Sequence, residues 1–225
     1  MRTTPVLTID LVSDLVSPWC YLAQRRLARA LSAVGGACEP RVRWQPFQIN
    51  PDIARSGMDV NEYLATVFGS ADAGREVLED VRLAGEDEGI RFDFGRVSTV
   101  PNTMAAHRLI MLAEEQDRSD AVAGRLFRGF FEEGRDIGDL DVLAELAAGE
   151  GFDPDETGRY LRSDRHRSTV RARQAEVQGA GLNGVPGIVF NGRYAVMGVQ
   201  EPEVLLAAID RALFEGVEGP RAGLH

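Results

Sequence analysis

The sequence predicts an α/β protein whose small sheet is interrupted in the chain by a long helical insertion. Three patterns carry that prediction. Short aliphatic and β-branched runs, the mark of buried strands, lie toward both ends of the 225 residues, at 6–12, 41–49 and 187–198. From residue 57 to 179 almost every segment repeats its apolar positions with helical spacing. Near the C-terminal end, Asn191-Gly192 divides two β-rich runs, a strong hairpin signal.

The elements follow in order. VLTIDLV at 6–12 is short and rich in branched aliphatics, so it reads as a buried strand. Leu22, Leu27, Ala30, Leu31 and Val34 give 18–34 helical periodicity, which Gly35-Gly36 ends. RVRWQPFQI at 41–49 alternates polar and apolar residues, with Pro46 pointing to an edge or a bulge. Strand, helix and strand make a βαβ unit, whose crossover is expected to be right-handed. Helices are predicted at 59–68, 71–88, 102–117, 119–133, 139–149 and 155–179, the last broken near Ser163, with Asp and Ser capping several starts. The hairpin at 187–198 follows, and Pro202 opens a final helix at 202–214. Disorder is expected only beyond about Gly216.

Composition narrows the function classes. Hydrophobic residues at 44% and charged residues at 27% fit an ordinary globular chain. A net charge of −10 disfavours nucleic acid and anionic membranes, because phosphate repels an acidic surface. The basic residues are all arginine, a bias of coding rather than a functional sign. The N-terminal stretch lacks the apolar core of a signal peptide, and no run approaches the ~20 residues that cross a bilayer. Cys20 and Cys38 are too few for a disulfide framework, so a cytoplasmic, reducing location is expected.

Chemistry concentrates in three motifs. Ser17-Pro18-Trp19-Cys20 sits where the first strand turns into the first helix, one atom short of a Cys-Pro-Trp-Cys dithiol. Pro101-Asn102-Thr103-Met104-Ala105-Ala106-His107-Arg108 opens a helix of the insertion. Gly184-Val185-Pro186 precedes the hairpin FNGRYAVMGVQ at 190–200. Without its helical block the element order is that of thioredoxin. Together the motifs resemble the DsbA-like, FrnE-type thioredoxin-fold oxidoreductases, which are grouped with kappa-class glutathione transferases and 2-hydroxychromene-2-carboxylate isomerases. The resemblance runs from residue 6 to 214. It implies a thioredoxin fold with a large inserted all-helical domain, the core at 1–56 and 180–225 and the insertion at 57–179, covering the first-helix turn.

The resemblance places Ser17 in the attacking position and Cys20 in the resolving one. Serine neither ionises at neutral pH nor forms a disulfide, so dithiol exchange within the motif is excluded by chemistry. Two roles stay open for Ser17. Its hydroxyl can donate to a bound thiolate, worth roughly 1.5–3 kcal/mol or about one to two pKa units, or it can merely cap the helix. Cys20 is either a buried small hydrophobe or a working monothiol, and Cys38 reads as packing. Relatives carry a cis proline where Pro186 stands, facing the turn with Pro18 and Trp19, and the Val185 backbone is then free to pair with an extended thiol ligand. His107 is a packed residue or one that orders the helical lid. The arginines between 159 and 173 read as a solvated face more readily than as an anion site.

Kappa-type relatives hold glutathione with an Asp-Arg pair after the last strand. Here that region reads Met197-Gly198-Val199-Gln200-Glu201, where Gln200 can hydrogen-bond but Glu201 repels carboxylates. Glutathione is thus the cofactor the family suggests, and another low-molecular-weight thiol is the one these residues favour. The implied function is that of an oxidoreductase-family protein acting on a small thiol or thiol-containing substrate. A thiol-dependent isomerase or transferase, and a non-catalytic peptide-binding module, are the alternatives. A homodimer is compatible with all three, and no metal constellation is visible.

Overall fold

A computed structural model describes residues 4–214, so the residues expected to be disordered beyond Gly216, and the outer ends of the expected core ranges, lie outside the described residues. Strand β1 (Val6–Ser13) organises the sheet because its inward side chains Leu7, Ile9 and Leu11 are fully buried aliphatics. It pairs in parallel with β2 (Glu39–Pro46), from Val6 opposite Glu39 to Ser13 opposite Pro46. On its other side it runs antiparallel to β5 (Gly187–Phe190), which pairs with β6 (Tyr194–Met197). The order is β2-β1-β5-β6. Helix α1 (Pro18–Val34) connects β1 to β2 and packs against α9 (Pro202–Phe214). This is the thioredoxin arrangement, interrupted between β2 and β5 by helices.

Those helices are α2 (Val60–Phe68), α3 (Ala71–Glu86), α4 (Met104–Glu114), α5 (Ser119–Phe131), α6 (Leu140–Ala148), α7 (Pro154–Arg162) and α8 (Arg167–Gly179). Side-chain caps fix several starts. Asp59 accepts from Asn61 N, Ser70 from Ala73 N, Asp139 from Asp141 N and Asp153 from Glu156 N, each relieving a donor the helix leaves unpaired. The break expected near Ser163 falls between Arg162 and Arg167.

One expectation needs correction. The insertion is not purely helical, because β3 (Met58–Asp59) and β4 (Thr99–Val100) form a separate antiparallel pair. Two residues are too few to show a strand period in sequence. The pair forms where Gly57, at φ +79°, lets the chain approach closely: a Cβ there would stand 2.3 Å from Thr99 Cγ2. It adds nothing to the central sheet.

Sheet and insertion share one continuous core. Tyr21 of α1 stacks on Phe127 of α5 at 5.1 Å, and Trp44 of β2 meets the same ring at 6.1 Å. Arg108, buried on α4, donates to the main-chain oxygens of Tyr160, Leu161, Ser163 and Arg165, stitching α4 to the α7–α8 junction. At the hairpin turn, Asn191 accepts from Thr8 N at 3.0 Å and donates to Ala212 O at 3.0 Å, tying the turn to β1 and α9.

Candidate functional site

Residues 14–17 turn the chain from β1 into α1. Ser17 is extended (φ −95°, ψ 112°), and its Oγ accepts from Cys20 N at 3.3 Å, so the hydroxyl does cap the helix. Its own N–H donates to Asp14 O at 3.1 Å. Pro18 occupies the first helical position without an N–H, and the Trp19 N–H finds no acceptor among the described residues. A spare backbone donor at a helix start favours a negative charge there, an effect the nearby Asp14 carboxylate opposes.

Asp14 holds this turn in place. Its side chain is buried; Oδ1 accepts from Leu15 N at 2.8 Å and lies 3.3 Å from His107 Nε2, while Oδ2 accepts from Ile49 N at 2.7 Å. One carboxylate therefore joins the turn, the loop after β2 and helix α4. Sequence reading missed Asp14, although a lone acid inside Val12-Ser13-Asp14-Leu15-Val16 was the available signal.

The two motif residues face different surroundings. Cys20 is 0% exposed, and burial pushes its thiol up to about 11; the Ser17 hydroxyl, the Asp14 backbone and the Ser13 hydroxyl oppose that rise more weakly. At neutral pH it is a protonated core thiol. Cys38 is also buried and free, and no disulfide joins the pair. Ser17, by contrast, lines a cavity of about 230 Å³.

That cavity lies between core and insertion. Ser17, Pro18, Trp19 and Val185 form one wall, and Tyr63, Val67, Phe68, Phe94, Val97 and Phe130 stand across from them. No charged side chain lines it. Its rim is apolar too: Trp19 is 37% exposed and Val67 49% exposed, with Ile49 and Phe68 beside them. Burial pushes the Tyr63 phenol above its ordinary range, and its oxygen accepts from Asn50 Nδ2 at 3.5 Å. The Val185–Pro186 bond is cis. Pro186 O accepts from Gly198 N at 2.9 Å, whereas the Val185 N–H and C=O find no partner among the described residues.

The expected site residues thus divide. Ser17, Pro18, Trp19 and Val185 come together, with Pro186 buried next to Val185. Cys20 lies behind Ser17 in the core. His107 does not line the cavity; it is buried against Asp14. Gln200 is absent from the lining as well. Its side-chain amide folds back onto Met197 O at 2.8 Å, and its main-chain carbonyl accepts from Arg26 at 3.3 Å. Glu201 pairs with Arg26 at 2.7 Å. The insertion residues of the cavity had no sequence signal, because an apolar helical face looks the same whether it meets a core or a cleft.

A family model described as a DSBA-like thioredoxin domain matches residues 8–210. YwbO, an uncharacterised protein of Bacillus subtilis (strain 168), is 26% identical over 147 residues, 64% of this chain and 66% of that protein, just under two thirds of its length. The crystal structure of a probable DsbA oxidoreductase from Streptomyces coelicolor is 28% identical and superposes with a TM-score of 0.86, covering 97% of this chain and 94% of that one. The cytosolic disulfide reductase DsbM from Pseudomonas aeruginosa, solved with GSH, shares the fold at 20% identity and a TM-score of 0.65, over 92% and 98% of the two chains. A 2-hydroxychromene-2-carboxylate isomerase shares it at 18% identity and a TM-score of 0.71, over 92% and 97%.

Proposed function

The chain belongs to the DSBA-like thioredoxin domain family of thiol oxidoreductases, and from that membership we propose that this member works on an external small thiol rather than through a dithiol of its own. The observation that carries the proposal is the contrast at the motif. Cys20 is buried with its thiol pushed up to about 11, while Ser17 opens onto an apolar cleft. A thiol-dependent isomerase or transferase fits that contrast best.

The bound thiol or thiol-bearing substrate supplies the nucleophilic sulfur. Ser17 donates its hydroxyl proton in a hydrogen bond to that sulfur while Oγ continues to accept from Cys20 N. The Trp19 N–H adds a second donor along the helix axis. A charge-assisted bond of roughly 1.5–3 kcal/mol lowers the thiol pKa by about one to two units. The proton released leaves to solvent, and the apolar walls keep water from the ionised sulfur while it meets an apolar electrophile.

The residues present fit the sulfur end of such a ligand and not the charged ends of glutathione. No cation lines the cleft, Gln200 is turned away, and Arg26 is occupied by Glu88 and Glu201. A thiol with an apolar body suits it better. Glutathione remains the reference compound for comparison, because DsbM was solved with it. Two free, buried cysteines suit a reducing compartment. No described helix is long and apolar enough to cross a membrane.

The test follows thiolate absorbance against pH for an aryl thiol bound to the parent protein, Ser17→Ala and Cys20→Ala. The bound thiol should ionise one to two units below its free value in the parent and in Cys20→Ala, and lose that shift in Ser17→Ala. A shift that survives Ser17→Ala and disappears with Cys20→Ala ends the proposal. The unpaired Val185 main chain supports a second reading, capture of an extended thiol-bearing peptide by strand addition.

A further inference from the structure

Away from the thiol cleft, a groove of about 950 Å³ opens between the loop after β2, the start of α4, and helices α7 and α8. Its character is opposite to that of the cleft. Five arginines, at 55, 108, 162, 167 and 171, line it against two carboxylates, Asp52 and Asp164. In a chain of net charge −10 this is a local reversal of sign, and a concave surface of one sign concentrates ions of the other.

The arginines are not equally available. Arg108 is committed to four main-chain oxygens and serves the fold. Arg162 pairs with Asp141, and Arg167 with Asp164 at 2.9 Å, a carboxylate whose side chain is 88% exposed. The Arg55 and Arg171 side chains make no hydrogen bond or ion pair with any described residue. They come from different elements, the loop after β2 and α8, yet line one groove. The Ala105 N–H, second in α4, also lacks an acceptor among the described residues, since Asn102 Oδ1 takes the Met104 N–H before it.

We propose that this groove is a binding site for a small molecule carrying two or more carboxylate or phosphate groups. Guanidinium forks match both oxyanions bidentately, and two uncommitted forks on separate walls select a ligand with more than one anionic group. The volume falls within the roughly 300–1,000 Å³ typical of small-molecule sites. The site is independent of the thiol reading, because Ser17 and Trp19 take no part in it. The two sites meet at the loop after β2, where Gln48 lines the groove and Ile49 the cleft.

Calorimetric titration of the full chain with citrate and with inorganic pyrophosphate tests the proposal, at low salt and at roughly 0.15 M ionic strength. At least one probe should bind with a Kd below about 1 mM, weakening as salt rises, and which one binds separates a carboxylate ligand from a phosphate ligand. Arg55→Ala/Arg171→Ala should lose about tenfold or more in affinity. Arg75→Ala, on α3 outside the groove, and Ser17→Ala should bind as the parent does. Should the double variant not fold, Arg171→Gln alone is expected to lose several-fold. Absence of binding to both probes at low salt overturns the proposal, as does unchanged affinity in the arginine variants. Loss of binding in Ser17→Ala would place the anion in the thiol cleft and overturn it equally.

Discussion

Cys20 and Ser17 are three residues apart and chemically opposite. Burial stabilises the neutral Cys20 thiol, so the folded chain holds that proton to a higher pH than the unfolded chain does. The resulting stability is complete below pH 9.0 and is lost as pH rises toward about 11. A shift of that size corresponds to roughly 2–3 kcal/mol. In urea melts, the stability difference between the parent and Cys20→Ala should therefore shrink by about that amount between pH 8 and 11. The other raised groups, Tyr21, Tyr63, Tyr160 and Cys38, are present in both proteins and cancel in the difference. An unchanged difference would mean that Cys20 ionises as an ordinary exposed thiol. Ser17→Cys asks the converse question. A thiol placed at the helix start should titrate below the free value of ~8.5 and form a disulfide with Cys20, creating insulin reductase activity where the parent has little. An introduced thiol that titrates like free cysteine would remove position 17 from the activated site.

Among elements, the decisive joint is the turn between β1 and α1. Its geometry depends on α4 and on the loop after β2, because His107 and the Ile49 N–H both converge on Asp14. His107 has a structural role here: it is buried against Asp14 and does not line the cavity. His107→Ala removes one of three partners from a buried carboxylate and should lower stability by about 1.5–3 kcal/mol. Chemical denaturation measures that loss, and the thiolate shift at Ser17 should persist in the folded variant. Intact stability with a vanished thiolate shift would show that His107 belongs to the chemistry.

For the molecule as a whole, the cleft exists because the insertion folds back over the core. Its walls come from residues more than a hundred positions apart, such as Trp19 and Phe130. Trp19 lines the cavity while Trp44 is buried in the core, so intrinsic fluorescence reports separately on the two. An aryl thiol should quench the exposed Trp19 component. Val67→Asp, which sets a charge on the half-exposed apolar rim, should weaken that titration about tenfold or more, because an apolar ligand seated there would strip the carboxylate of its water without pairing it. Equal quenching in Val67→Asp would place the ligand outside the cleft.

The sequence by itself determined the element order, most helix limits and the hairpin at Asn191-Gly192, and it singled out Ser17, Pro18, Trp19 and Val185, which line one cavity. Each rests on local physics: side-chain period, capping, turn chemistry, and the plain fact that serine cannot form a disulfide. The tertiary structure alone decided the rest. It turned Gln200 onto Met197 and His107 onto Asp14, because each found a nearer partner than the cleft. It made the β3–β4 pair from two residues a side, too short to leave a pattern. It also separated an apolar cleft from an arginine groove, since which apolar or charged faces meet across a fold is set by packing between distant segments, and no local pattern encodes that.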